Sequence, residues 1–323
     1  MLCSNKKMKC DVIIPIYNSL NWVKLCIYAL YQNTNAECLG QVILINDKSD
    51  KETTNYLREI SKKYFNIKLV ENKKNLGFVK SCNYGMSISE SDYVLLLNSD
   101  CILSENAISK MMNAMHKDKK IGLLCPISSK AANISYPLPE GFNYQSLNKL
   151  FEKKFSGKTF DACTVVGNCL MISKKCINET GYFDEIFEKG YTEETDYQFK
   201  AHEKGFKAKV LIDTYVFHES RVSFGESEKQ LEIRKKHLDI FFERWGKQYN
   251  EEMEKYKKND PIEYINNNID LSKKNKEIID LDDISDNYIE YINYLIINGF
   301  DINISLPENK VISNNILFSP IIR

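Results

Sequence analysis

Apolar residues in the first hundred positions fall into two alternating patterns. Short, nearly unbroken runs such as Val12-Ile13-Ile14-Pro15-Ile16, Val42-Ile43-Leu44-Ile45, Ile67-Lys68-Leu69-Val70 and Tyr93-Val94-Leu95-Leu96-Leu97 read as strands. Between them, 20–33, 53–64 and 78–88 space their apolar residues as helices do, for example Leu20, Val23, Ile27 and Leu30. Apolar strands alternating with amphipathic helices predict an α/β fold with a parallel sheet covered on both faces. Ligands of such sheets sit beyond the carboxyl ends of the strands. The polar residues that follow the runs are therefore the candidates: Tyr17 and Asn18, Asp47, Glu71 and Asn72, then Asn98, Ser99 and Asp100.

From 101 to 160 the pattern loosens into a helix over 104–116 and a loop region holding Pro126, Pro137 and Pro139. Strands are predicted over 164–172, 210–212 and 216–217, with His218 ending the last. Gly167 suits a bend or a close backbone approach. A helix over 193–204 ends at Gly205, in the position glycine favours. A charged, amphipathic helical stretch fills 226–258. After Asp260-Pro261 the composition shifts to Asn, Asp, Ile and Lys, with a helix over 287–298 and a strand over 300–304. The expected division is a main domain over 1–263 and an appendage over 264–323 that reads as the opening of a further α/β domain.

Charge and cysteine content narrow the function. With 44 Lys+Arg against 44 Asp+Glu among 323 residues, the chain lacks the basic field of a general nucleic-acid binder. No apolar run approaches the roughly 18 residues that cross a bilayer, and no signal peptide is visible. The ten cysteines are scattered singly without CxxC spacing, which reads as reduced thiols in a cytoplasmic protein and argues against structural zinc.

Each chemical candidate has a plain structural reading beside it. Asn98, Ser99 and Asp100 are turn formers, yet a carboxylate there also holds a hard divalent cation. Glu193, Glu194 and Asp196 complement a helix dipole, yet they cannot share one face, and one of them can serve as a general base. His218 reads as a structural residue unless Asp100 and the Glu194 region converge on it. His116, His202 and His237 lie in charged helical stretches and read as surface residues.

The ordered series is more specific than its members. Pro15-Ile16-Tyr17-Asn18, Asn46-Asp47-Lys48-Ser49, Asn75-Leu76-Gly77-Phe78 and Leu97-Asn98-Ser99-Asp100 resemble the N-terminal half of family 2 glycosyltransferases. Val166-Gly167-Asn168-Cys169-Leu170-Met171, Gly181-Tyr182-Phe183-Asp184-Glu185, Tyr191-Thr192-Glu193-Glu194-Thr195-Asp196 and Val216-Phe217-His218 resemble its second half. The resemblance runs from about residue 10 to 250, including Arg244-Trp245-Gly246.

It implies the GT-A fold, a mixed, mostly parallel sheet flanked by helices, with a helical C-terminal extension. Residues 10–100 would be the nucleotide-binding half, 101–225 the acceptor half and 226–263 the C-terminal helices. It also implies roles. Pro15, Tyr17, Asn18, Asp47, Asn75, Asn98 and Ser99 would bind the donor, and Asp100 and His218 would hold Mn²⁺ or Mg²⁺ on its diphosphate. Glu194 would be the catalytic base, and Glu193 and Asp196 would position the acceptor or support that base. The implied reaction is inverting transfer from a nucleotide sugar, a UDP-sugar first and dTDP-rhamnose second. The acceptor would be a glycan or lipid-linked glycan of a bacterial surface, capsule or lipopolysaccharide. Peripheral contact with the cytoplasmic face of the inner membrane through 226–258 stands against a solvated helix of mixed charge. Three residues depart from the family pattern: Asn98 for the first Asp of Asp-x-Asp, Glu194 for Asp and Lys200 for Arg. A non-catalytic nucleotide- or glycan-binding module and a sugar nucleotidyltransferase are the alternatives. The latter lacks its glycine-rich loop after the first strand.

Overall fold

The computed structural model describes residues 7–140, 142–220, 228–271, 279–280 and 302–303. The first half alternates as the apolar pattern requires: β1 Cys10–Ile16, α1 Leu20–Asn33, β2 Leu39–Asn46, α2 Lys51–Lys63, β3 Ile67–Glu71, α3 Phe78–Ile88 and β4 Tyr93–Leu97. Then come β5 Cys101–Leu103, α4 Ala107–Lys117, β6 Ile121–Ser128, α5 Tyr144–Phe155, β7 Thr159–Asp161, β8 Cys169–Ser173 and α6 Lys174–Thr180. The chain continues through α7 Glu193–Glu203, β9 Lys207–His218, α8 Glu228–Lys258 and α9 Pro261–Asn268.

Nine strands form one sheet in the order β3-β2-β1-β4-β8-β6-β9-β5, with β7 on β9. β1, β2, β3 and β4 pair in parallel, whereas β8 runs antiparallel to both β4 and β6. The antiparallel steps to β8 and back restore direction, so β6 and β9 again run with β4. The carboxyl ends of β1, β2, β4 and β9 therefore share one edge. The runs are apolar throughout because both faces are covered. Ile13 and Leu96 pack on one side with Val79, Cys82 and Met86 of α3. Val12, Ile14 and Leu95 pack on the other with Ile108, Met111 and Met115 of α4.

Three expectations change. The strand predicted over 164–172 begins only at Cys169, because backbone donors before it turn to α7: Val165 N–H reaches Gln198 Oε1 (2.7 Å) and Gly167 N–H reaches Glu194 Oε1 (3.4 Å). The two short strands at 210–212 and 216–217 are one twelve-residue strand, β9, with an irregularity opposite Pro126/Ile127. The domain boundary after 263 falls inside α9, whose Ile265 is fully buried in the main core with Tyr264, Ile269 and Leu271 against it. Residues 264–271 thus pack with the main core. Beyond them, the described residues of the expected appendage are Ile279–Asp280 and Ile302–Asn303, a parallel two-stranded pair. The strand expected over 300–304 thus has its central pair, and the helix expected over 287–298 lies outside the described residues. Among the described residues no helix is long and apolar enough to cross a membrane.

Candidate active site at the carboxyl edge of the sheet

The edge shared by β1, β2, β4 and β9 collects most of the candidates. Pro15 and Tyr17 sit at the end of β1, Pro15 partly buried and Tyr17 exposed. Asn18, in a left-handed turn (φ 60°), ties this end to the next loop: its N–H donates to Ser49 Oγ (2.9 Å) and its Oδ1 accepts from the Asp50 amide (2.8 Å).

Asp47 follows β2 and is 4% exposed. Its carboxylate accepts hydrogen bonds from Asn72 Nδ2 (2.8 Å) and from the amides of Leu76 (2.7 Å) and Gly77 (2.8 Å). Asp47 thereby shapes the turn that carries half-buried Asn75. Gly77 has φ +85°, and a Cβ there would stand 2.8 Å from Lys189 Cα. Glycine is required on both counts. The turn held by Asp47 thus abuts the loop that precedes α7.

Asp100 and His218 meet through strand register. Cys101 pairs with His218 across the antiparallel β5–β9 ladder, and the Glu219 amide donates to the Asp100 carbonyl (3.1 Å). The result places His218 Nε2 3.4 Å from Asp100 Oδ1, with both residues about nine-tenths buried. His218 Nδ1 lies 2.6 Å from the Lys130 carbonyl. A carbonyl only accepts, so Nδ1 donates there and Nε2 is the nitrogen that faces Asp100, donating to it when protonated and free to ligate a cation when not. The His218 backbone is clamped by Ser129, whose Oγ accepts from its N–H (2.8 Å) and donates to its carbonyl (2.9 Å). Burial pushes the imidazole pKa down, but the hydrogen bond and charge of Asp100 outweigh it and the net shift is upward.

These atoms suit a hard divalent cation. A carboxylate oxygen and an imidazole nitrogen converge, and the other imidazole nitrogen is fixed by a carbonyl, the usual outer support of a ligating histidine. Cys101 Sγ lies within 4.8 Å of both ligand atoms. However, burial holds its thiol well above the usual range, and its sulfur contacts the Asn168 carbonyl (3.3 Å). The donor set is thus Asp100 and His218. Ser99 is buried beside them, and half-buried Asn98 donates its amide to the Asn168 carbonyl (2.8 Å).

The opposite wall is the start of α7. Gly167 and Asn168 lead into β8 beside Asp100, and Glu194 Oε1 reaches the Gly167 amide (3.4 Å). The expected close approach at Gly167 is present: a Cβ there would lie 3.7 Å from Glu194 Cδ. Glu193 is 3% exposed, and one oxygen of each glutamate is buried without a partner among the described residues. Burial raises both carboxyls, and the Glu194 charge raises Glu193 further. A hydrogen bond from Glu193 instead favours the ionised form of Glu194. Burial and the neighbouring charge thus push Glu193 toward its neutral form, while the contact with Glu193 works in the opposite sense on Glu194.

Asp196 points elsewhere. It is fully buried, and its Oδ1 accepts from Arg244 Nη1 (3.0 Å) and Trp245 Nε1 (2.9 Å) of α8. Lys200 Nζ lies 2.9 Å from its Oδ2 and 3.6 Å from Asp184 Oδ2. Arg244 also binds Asp184 (2.9 Å), so this cluster has a guanidinium, from α8 rather than from position 200. Asp196 thus braces α7, the helix that carries Glu194, against α8. Asp196→Ala should lower stability by about 3 kcal/mol, since it strands a buried indole N–H and a cation. Denaturant titration of the two proteins measures this.

One residue packed on the loop before α7 was misplaced by sequence reading. His237 of α8 is fully buried, not on the surface, and its Nδ1 lies 2.9 Å from the Gly190 carbonyl. A signal was present: His237, Phe241, Trp245 and Tyr249 recur every four residues, the stripe α8 turns toward Phe199. His202 is partly buried and only His116 is exposed. The nine described cysteines are free, and all but Cys38 are buried.

Comparison with known proteins follows this geometry. The family described as "Glycosyl transferase family 2" matches residues 11–181, more than half of the chain. An uncharacterized glycosyltransferase of Haemophilus influenzae is 32% identical over 111 residues, 34% of each chain. A poly(ribitol-phosphate) beta-glucosyltransferase of Bacillus spizizenii is 28% identical over 107 residues, 33% of this chain and 17% of that protein. The chain thus matches about a third or less of the length of these relatives. Among solved structures, GalNAc-T7 with UDP, GalNAc and Mn²⁺ superposes with a TM-score of 0.58 at 16% identity, covering 76% of this chain and 50% of that one. S. aureus TarS 1–349 gives 0.51 at 17% identity, covering 73% and 72%. These likenesses show a shared GT-A fold.

Proposed function

The chain belongs to glycosyl transferase family 2, and from that premise we propose that it moves a sugar from a nucleoside diphosphate sugar to an acceptor hydroxyl with inversion. The observation that carries this reading is two groups brought to one end of the sheet: Asp100 with His218 (3.4 Å), and the Glu193–Glu194 carboxyls of α7, of which Glu194 meets the Gly167 amide (3.4 Å) ahead of β8.

Asp100 Oδ1 and His218 Nε2 would hold Mn²⁺ or Mg²⁺, which supplies charge neutralisation for a diphosphate leaving group. Pro15, Tyr17 and the turn fixed by Asp47 would receive the base, with Asn18, Asn75, Asn98 and Ser99 lining the donor side. Glu194 takes the proton from the acceptor hydroxyl as that oxygen attacks the anomeric carbon. Glu193, which burial and the Glu194 charge push toward its neutral form, would donate to the Glu194 carboxylate and keep it aimed. A single displacement needs no covalent intermediate on the protein.

A UDP-sugar is the favoured donor and dTDP-rhamnose the second. The UDP and UDP-GlcNAc bound in solved neighbours support the first. The acceptor is a hydroxyl of a bacterial surface glycan. Capsule and lipopolysaccharide stand beside a poly(polyol phosphate), which the Bacillus relatives bring in. A thermal-shift panel of UDP, dTDP, GDP and CMP, each with Mn²⁺, tests the donor class. UDP should stabilise the fold most, and dTDP next. Stabilisation by GDP or CMP alone would overturn the UDP assignment.

A further inference from the structure

The loop before α7 is strained. Glu188 (φ 46°), Gly190 (125°), Tyr191 (72°) and Thr192 (81°) all have positive φ, and three of these four are not glycine. Each such non-glycine residue costs on the order of 1–3 kcal/mol unless its surroundings impose it. Thr192 is the N-cap of α7, yet its side chain makes no capping bond. The helix start that carries Glu193 and Glu194 is therefore set from outside.

Contacts from two sides bear on it. On the donor side, the Gly77 turn packs so close to Lys189 that a Cβ on Gly77 would not fit. On the other side, His237 of α8 bonds the Gly190 carbonyl (2.9 Å), with its ring edge-on to Phe187 (centroids 5.4 Å). Because the partner is a carbonyl, Nδ1 is the donor at this contact. Its Nε2 is buried with no partner among the described residues, which costs about 1–3 kcal/mol. A leucine or phenylalanine would fill the same space without that cost. What only histidine supplies here is the Nδ1–H to Gly190.

We propose that His237 is a positioning residue for the transfer: its bond to the Gly190 carbonyl holds the strained 188–192 turn and so sets where the Glu193–Glu194 carboxyls stand. This rests on the reading of Glu194 as the base. The turn also lies between the Asp47-held donor loop and α8, so one loop joins donor site, base and C-terminal helix.

Asparagine and glutamine separate the bond from the bulk. The Asn amide nitrogen takes the place of Nδ1, whereas the Gln amide projects toward Nε2 and misses Gly190. The readouts are hydrogen exchange over 188–196, UDP·Mn²⁺ affinity by calorimetry, and kcat and KM for nucleotide release. In His237→Gln, exchange should rise about tenfold or more and kcat should fall by a similar factor, while UDP·Mn²⁺ affinity and donor KM stay within about threefold. His237→Asn should restore both exchange protection and kcat. Equal behaviour of the two variants, whether both active or both impaired, would overturn the proposal. Glu194→Gln is run in parallel. If it transfers normally, the base assignment falls, whereas the exchange comparison judges His237 independently.

Discussion

Glu194→Gln should still bind UDP with Mn²⁺ but lose roughly 10²-fold or more in kcat for transfer. The amide has the shape of the carboxyl and can still meet the Gly167 amide with its oxygen, but it cannot take a proton from an acceptor hydroxyl. The neighbouring glutamate makes the comparison sharp. Burial and the Glu194 charge push Glu193 toward its neutral form, so Glu193→Gln keeps a neutral donor beside Glu194 and should lose far less. The pH profile follows with a definite sign. Burial raises the pKa of Glu194, and a base must be ionised, so kcat should climb with pH above the ordinary glutamate range. Stopped nucleotide-release assays across pH, on wild type and both variants, measure all three results. Equal losses in the two Gln variants would contradict the division of roles.

Asp100→Ala should weaken Mn²⁺ binding in the presence of UDP by about 100-fold or more, since loss of an outer support alone costs about 10–100-fold at metal sites. Asp100 is the one carboxylate in the donor set, and His218 is neutral when its Nε2 acts as a ligand. Removing the carboxylate therefore removes the charge that draws a cation into this edge. Transfer should fall at least as far. His218→Ala should show the same direction with a smaller change, because a water can replace a neutral ligand more easily than an anionic one. Calorimetry of Mn²⁺ with UDP present reports these affinities, and unchanged binding in Asp100→Ala would remove the site from this edge.

Much of the fold was legible because its strands are buried on both faces. α1 and α3 begin and end where the apolar spacing places them, at Leu20–Asn33 and Phe78–Ile88, and β4 spans Tyr93–Leu97. What sequence could not settle was set by partners distant in the chain. The 164–168 segment looked like a strand because of Thr164, Val165 and Val166, yet its amides are taken by Gln198 and Glu194. Pattern reads apolarity, not the destination of each N–H. β9 was read as two pieces because Asp213-Thr214 interrupts the apolar run. Both residues are buried and satisfied: Gly157 N–H reaches Asp213, whose Oδ1 accepts from Thr214.

The candidate site divides in the same way. Asp100 and His218 were named from the ordered motif series, but their meeting is a matter of β5–β9 register, which no local pattern encodes. Asp196 sits within the same acidic cluster as Glu194, yet two residues of helical rotation turn it toward Arg244 and Trp245. His237 was hidden by its charged neighbours Lys235, Lys236 and Asp239. Only the four-residue repeat through Phe241 and Trp245 marks the face on which it lies.

The central claim is that a divalent cation held by Asp100 and His218, together with the Glu194 carboxylate, drives sugar transfer. The most direct measurement is nucleotide release from UDP-sugars and dTDP-rhamnose with Mn²⁺, with EDTA, and with Glu194→Gln in place of the wild-type chain. The expected result is release by the wild type with Mn²⁺, abolished by EDTA and cut roughly 10²-fold in Glu194→Gln. Release that persists undiminished in EDTA, or tight UDP·Mn²⁺ binding without release from any donor, would contradict it; the second outcome would instead identify a nucleotide-binding module.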